Sequence, residues 1–214
     1  MNHKLSRSFY QRPAEEVAKA ILGNYLVHQM PQGRISARII EVEAYPAFVD
    51  QASHGNKRTP RTEVMYREGG YAYVYLIYGI HHLFAVVVNR PEMPEVVFLR
   101  AAIPDEGIDL MRRNLGRPAV AARDLTKSPG NLCGSFGITV AHWGMDLTGD
   151  VLFLEDRGDR VREEEVISCG RVGINPAREG SQAKLRFLLR SHPPAAGSRH
   201  HSAEATNRAT CPPE

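Results

Sequence analysis

The chain has few cysteines, one tryptophan and no long apolar run, and each scarcity closes off a class of protein. Its three cysteines, Cys133, Cys169 and Cys211, are odd in number, far apart and without a Cys-x-x-Cys spacing. That argues against a disulfide framework and a structural zinc site, and it fits work in a reducing cytoplasm. Trp143 stands alone, so the indole platforms of a typical sugar groove are missing. No stretch approaches the roughly 20 apolar residues that span a bilayer, and residues 1–10 lack a signal-peptide core. No internal repeat is present. Neither sign of charge dominates: 27 Lys and Arg face 24 Asp and Glu, for a net charge of +3. That balance permits nucleic-acid binding without arguing for it. A basic stretch, Arg112, Arg113, Arg117, Arg123 and Lys127, is diluted by Asp105, Glu106, Asp109 and Asp124, as a solvated helix face would be.

What is present is compact. At 214 residues the chain predicts one domain with a sizeable core. Residues 13–23 read as a helix, with Pro13 in its first turn, glutamates at its positive end and Gly23 at its stop. A strand follows from Tyr25 to Gln29, a turn at Pro31-Gln32-Gly33, and a long strand from Arg34 to Tyr45. Strict alternation on that strand puts Ile39, Glu41 and Glu43 on one face and Ile40, Val42 and Ala44 on the other. Residues 46–70 read as loop. Tyr71 to Ile77 and Leu83 to Val88 read as a hairpin with its tip at Tyr78–His82. A strand from Glu95 to Ile103 leads to a helix near 105–115. Ser128-Pro129-Gly130 reads as a capped helix start, whose amides suit a phosphate, or as a plain turn. Residues 147–190 read mainly as strands. From Ser191 to Glu214 there is no Val, Ile, Leu, Met or aromatic residue, so a disordered tail is expected over 191–214 and a folded domain over 1–190.

The chemistry concentrates in one region. Six of the eight tyrosines, Tyr45, Tyr66, Tyr71, Tyr73, Tyr75 and Tyr78, fall within 34 residues. Flat rings at this density suit a planar, possibly cationic ligand. Glu41 and Glu43 lie two apart on a strand, about 6.5 Å between Cα atoms. Paired carboxylates can divide acid and base work, although Glu-x-Glu often simply faces solvent. Tyr45 and Tyr75 can sandwich a flat group, with His54 closing the wall. Alternating Tyr73 and Tyr75 is also ordinary strand packing, and a lone His54 is more often a structural hydrogen-bonding residue. Tyr78 is different. A ring at a hairpin tip beside Gly79 has little core to join and reads as an exposed, functional side chain.

These residues belong to a longer ordered set: Phe9-Tyr10, Arg12-Pro13-Ala14, Ala20-Ile21-Leu22-Gly23, Glu41-Val42-Glu43-Ala44-Tyr45, Ala52-Ser53-His54 and Thr59-Pro60-Arg61. Then come Tyr73-Val74-Tyr75-Leu76-Ile77-Tyr78-Gly79, Leu99-Arg100-Ala101, Ser128-Pro129-Gly130-Asn131-Leu132-Cys133 and Arg171-Val172-Gly173. Each piece is weak alone. In this order and spacing, from about Lys4 to Arg190, the chain resembles the alkyladenine (3-methyladenine or methylpurine) DNA glycosylase family. The resemblance implies a single mixed α/β domain around a curved, largely antiparallel sheet, with no metal or other cofactor. It implies that Glu43 is the general base, that Arg100 and the Val172 carbonyl help hold the attacking water, and that Tyr45, His54 and Tyr75 wall the pocket of a flipped base. It implies that Tyr78 enters the minor groove and fills the gap left by the extruded nucleotide. The partner is then duplex DNA carrying damaged purines, met by a monomer in a bacterial-type cytoplasm, at the nucleoid. A base inside a duplex must be flipped before chemistry, and an alkylated purine's positive charge favours stacking on tyrosine and departure. No lysine lies among the proposed site residues, so water rather than a Schiff base is the expected nucleophile.

Two positions depart from the family pattern. Seven residues after the intercalating tyrosine the family usually has Asn, which crowds the 2-amino group of guanine; this chain has Ala85. Thr62 replaces a usual Asn after Pro60-Arg61. Two rival classes stand beside the glycosylase reading. A lesion-binding protein without catalysis would be unaffected in function by Glu43→Gln, and a carbohydrate hydrolase using Glu41 and Glu43 would cleave oligosaccharides.

Overall fold

The computed structural model describes residues 3–175, 180 and 182–192. They form one antiparallel sheet flanked by short helices. The strands are β1 His3–Lys4, β2 Tyr25–Met30, β3 Gly33–Tyr45, β4 Ala72–Ile77, β5 His81–Val88, β6 Glu95–Glu106, β7 Leu152–Asp156, β8 Val166–Cys169 and β9 Arg186–Leu189. The helices are α1 Arg7–Tyr10, α2 Ala14–Ile21, α3 Ile108–Leu115 and α4 Pro129–Phe136. The sheet runs β1-β7-β2-β3-β6-β5-β4, and β9 pairs with both β8 and the Glu41–Glu43 segment of β3. The mixed fold with an antiparallel sheet and a projecting hairpin is the one the sequence predicts. The tail expected beyond residue 190 falls, after His192, outside the described residues.

Local chemistry explains the elements. α2 buries Ala14, Val17, Ala18 and Ile21, spaced for one helix face. Its first amide, Ala14 N–H, donates to the buried Glu95 carboxylate at 2.7 Å, which gives an orphan donor a charged acceptor at the helix's positive end. Ser128 caps α4 through the Asn131 amide, with Pro129 in the first turn. Some boundaries differ from the sequence reading. β6 continues to Glu106 because it pairs with β3 as far as Ser36, so α3 begins at Ile108 rather than 105. The hairpin tip is Tyr78-Gly79-Ile80. His81 and His82 belong to β5, paired with Ile77 and Leu76. Among the described residues between 147 and 190, strands occupy only β7, β8 and β9, and a short 3-10 turn, Glu163–Glu165, precedes β8.

The two faces of the sheet carry different cores. Ile35, Ala37, Ile39, Val42, Ala44, Val74, Phe84, Val86, Val97 and Leu99 join the helices in the main core. On the opposite face Tyr73, Ala85, Val87, Val96 and Phe98 pack with Val64 and Met65 from the 46–70 loop, and Tyr45 and Tyr75 lie against them. The change of face on β3 comes from a bulge. Ile39 pairs with Ala102 and Glu41 with Ala101, so Ile40 is extra. This corrects the strict alternation. Ile39 lies with Val42 and Ala44 in the main core, not with the glutamates. One unpaired residue re-aims the rest of the strand, and Glu41, Glu43 and Tyr45 point to the aromatic face as a result.

Candidate active site

Glu43 is fully buried and does not face solvent. Its Oε1 accepts the Val172 N–H at 2.8 Å and lies 3.1 Å from Arg100 Nη1. Its Oε2 accepts the Tyr45 hydroxyl at 2.8 Å. Each carboxylate oxygen carries two lone pairs, so Oε2 keeps one for a further donor. Glu41 sits differently. Its Oε1 accepts from both Arg100 Nε and Arg186 Nε, each at 2.8 Å. Arg100 therefore bridges the two glutamates. Burial works against its charge, but Glu43 and Glu41 outweigh that and hold its pKa above the ordinary arginine value.

The aromatic wall stands above this floor. His54 begins a short 3-10 turn after Ser53, whose hydroxyl accepts the Gly55 amide. Its Nδ1 lies 3.0 Å from the Tyr73 hydroxyl, and its ring meets Tyr75 edge-on with centroids 5.0 Å apart. Tyr73 and Tyr75 stack at 5.1 Å. Tyr73 is buried and belongs to the core, as the plain packing reading has it, while Tyr75 and Tyr45 stay partly open. Burial pushes the Tyr75 phenol up, and burial with the Glu43 charge pushes the Tyr45 phenol well above 10. Both rings thus stay neutral hydrogen-bond donors. Ala85 is buried beside them, paired with Tyr73 on one side and Phe98 on the other. Tyr78 stands at the tip, 72 % exposed and with φ +52°. Ser, Thr and Asn scaffolding supports the loop between these parts. Thr62 accepts the Thr59 amide and donates to the Lys57 carbonyl at 2.7 Å, which gives this departure from the family pattern a local role.

The structure brings Glu43, Arg100, Val172, Tyr45, His54, Tyr75 and Ala85 into one region and leaves Tyr78 at the hairpin end beyond Tyr75. It adds a pair that the sequence reading missed. Asp50 and Arg171 form a buried two-pronged ion pair, and Arg171 also donates to the Ala44 carbonyl at 3.2 Å and lies 4.6 Å from the Tyr45 ring centroid. Arg171 so fixes the neighbouring Val172 against Glu43. Their separation of 121 residues hides the pair from any local pattern. The basic stretch is partly neutralised at home: Arg112 pairs with Asp109 and Lys127 with Asp124, while Arg113, Arg117 and Arg123 are exposed. Among the described residues no group of three His, Cys, Asp or Glu side chains is placed to share a metal ion, and no helix is long and apolar enough to cross a membrane.

Comparison with known proteins bears on this geometry. The profile described as methylpurine-DNA glycosylase matches residues 8–193. Curated relatives named "Putative 3-methyladenine DNA glycosylase" include one from Desulfitobacterium hafniense, 38% identical over 194 residues, covering 87% of this chain and 95% of that protein. Another, from Natranaerobius thermophilus, is 39% identical over 193 residues, 89% of this chain and 97% of its own. A third, from Methanocella arvoryzae, is 39% identical over 191 residues, covering 88% and 94%.

Proposed function

The chain belongs to the methylpurine-DNA glycosylase family, and we propose on that premise that it releases alkylated purines such as 3-methyladenine from duplex DNA by hydrolysis, as the first step of base excision repair. The observation that carries this reading is the Glu43 carboxylate, buried beneath a tyrosine and histidine wall with one acceptor position left on Oε2. Base pairing hides the glycosidic bond, so the target nucleotide is turned out of the stack. Tyr78, exposed at a tight tip, occupies the vacated space. The purine stacks between Tyr45 on one side and His54 with Tyr75 on the other. A methylated ring bears positive charge, and neutral tyrosine faces attract it.

The chemistry balances with water alone. Water donates a hydrogen bond to Glu43 Oε2 and its oxygen attacks the anomeric carbon. The bond to the purine nitrogen breaks, and its electron pair neutralises the departing cation. The proton of the water passes to Glu43 and then to solvent. Val172 N–H and Arg100 hold the carboxylate in place, and the Val172 carbonyl and Arg100 orient the water. The protein acts as a monomer in the cytoplasm, without a metal or cofactor.

The test is base release from duplexes carrying 3-methyladenine, 7-methylguanine, hypoxanthine or ethenoadenine. Free base should appear from at least one alkylated duplex, leaving an abasic strand uncut until alkali is added. Strand cleavage without alkali would refute the water mechanism, and release from none of the four duplexes would refute the activity.

A further inference from the structure

Seven large apolar side chains among the described residues are exposed: Phe48, Val49, Leu76, Tyr78, Ile80, Val140 and Val151. Leu76, Tyr78 and Ile80 belong to the hairpin that carries Tyr75. Phe48 and Val49, 61 % and 73 % exposed, belong to a different segment, the loop that leaves the pocket wall at Tyr45. This loop is rigidly built. Its Phe48 amide donates to Asn56 Oδ1 at 3.0 Å, and Asn56 Nδ2 donates back to the Asp50 carbonyl at 2.6 Å. Asp50 is anchored in turn by Arg171 in the buried ion pair. Asn56 closes the 3-10 turn begun by His54. The loop is thus tied to both walls of the pocket, to Tyr45 by sequence and to the turn that His54 begins by the hydrogen bonds of Asn56.

Phe48 also has φ +62°. A bulky residue in the left-handed region is uncommon and is kept only where its surroundings force it. Tyr78 shares the combination of positive φ, aromatic ring and high exposure. An apolar ring held out in water by a clamped, strained loop covers no core. We propose that Phe48, with Val49 beside it, is a second apolar wedge that packs on the nucleotide flanking the extruded one, so that DNA is gripped from both rims of the pocket. The occupant is the same duplex that Tyr78 enters, because the loop continues the pocket wall; a second copy of the chain is the competing occupant. The inference rests on the proposed DNA glycosylase activity. Apolar side chains between base steps hold a kink open, and ring-on-base stacking needs no particular sequence.

The experiment uses the full chain and a duplex with one hypoxanthine, flanked on either side by the fluorescent base 2-aminopurine. The wild-type protein should raise its emission at one flank by unstacking it. Phe48→Ala should abolish that rise and weaken duplex binding about tenfold, the scale of one lost base–aromatic stack. Phe48→Gly, which relieves the backbone, should lose as much, and Phe48→Trp should restore both signals. The slope of log affinity against log salt should stay unchanged, because no phosphate contact is removed. Base release from a single-stranded substrate should also be unchanged. Wild-type affinity and emission in Phe48→Ala would overturn the wedge, as would an equal loss on single strands or a dimer that Phe48→Ala dissociates. Absence of any base release by the wild-type protein would sink the activity instead, and the two failures are read separately.

Discussion

The long strand β3 carries a charge network at each end, and the two are built to different rules. At the Ser36 end, Arg34 reaches Glu106 and Glu155, and Arg157 joins Asp105, Glu106, Glu155 and the Ser36 hydroxyl. Asp105 and Glu106 remain about half open to water, with side-chain exposures of 40% and 47%. At the Tyr45 end, Glu41, Glu43 and Asp50 meet Arg100, Arg171 and Arg186, and every one of the six is buried. Exposed ion pairs cost little to form and contribute little. Buried ones pay a desolvation penalty that stability alone does not require, since apolar residues pack as well or better. Three carboxylates buried beside an aromatic cage fit the proposed chemistry better than a purely stabilising role.

Breaking one pair at each end should expose the difference most strongly. Asp50→Asn leaves Arg171 buried without its counter-charge and should cost about 3–5 kcal/mol of stability. Asp105→Asn, at the open end, should cost about 0–1 kcal/mol. Urea denaturation of the two variants measures both. Equal losses would mean that the pocket network is no more demanding than the surface one.

Within the pocket, the two glutamates should separate by role. Glu43→Gln should slow single-turnover base release by at least the ~10²-fold that accompanies loss of a general base, with little change in DNA affinity. Glu41→Gln should slow it far less and instead lower stability, because Glu41 Oε1 serves Arg100 and Arg186 together. Greater kinetic damage from Glu41→Gln would reverse the assignment.

Much of this contrast is legible in the sequence, for identifiable reasons. Two glutamates and a tyrosine at strand spacing, then a tyrosine-rich run, report directly on one sheet face, because period two survives in any strand. The position of that face did not follow. The bulge at Ile40 obeys no local composition, and only pairing with β6 shows that Ile39 and Glu43 point apart. Arg171 reads as part of a short motif, while its partner Asp50 reads as an unremarkable loop acid. Their contact is a product of tertiary closure, as is the complete burial of Glu43. Phe48 gave no periodic signal at all, since exposure and φ are properties of a loop's tethering rather than of its residue type.

A neutral substitution sharpens the comparison in the same pocket by testing shape instead of charge. The family resemblance implies that an asparagine usually crowds the 2-amino group of guanine at the position that Ala85 holds in this chain. The natural enzyme should therefore discriminate weakly against guanine-derived substrates, and Ala85→Asn should restore discrimination by ~1–3 kcal/mol. The measurement is the ratio of 7-methylguanine to 3-methyladenine release rates in both proteins. His81 and His82, paired with Ile77 and Leu76 beside the tip, are the residues that would supply the exclusion instead. An unchanged ratio would assign it to them and remove position 85 from specificity.

The smallest effect belongs to pH, and it should arise at the end of the sheet away from the pocket. His28 on β2 pairs with Ile35, between Arg34 and Ser36, and is buried. Its Nδ1 lies 2.7 Å from the Phe136 carbonyl oxygen, and the His142 ring meets it edge-on at 5.1 Å. Burial lowers its pKa, the Phe136 carbonyl partly offsets this, and His142 lowers it further. The folded protein thus prefers the neutral ring, whereas the unfolded chain takes up a proton near the ordinary value of about 6.5. The stabilising contribution is complete above that pH and is lost as pH falls from about 6.5 through the lowered folded value. One proton limits the slope to about 1.4 kcal/mol per pH unit. The pocket phenols of Tyr45 and Tyr75 are pushed upward and do not titrate in this window. Unfolding free energies of the wild type and His28→Gln between pH 5 and 7.5 decide the matter. The variant's profile should be flatter below pH 6.5, and a parallel profile would place the acid sensitivity elsewhere in the fold.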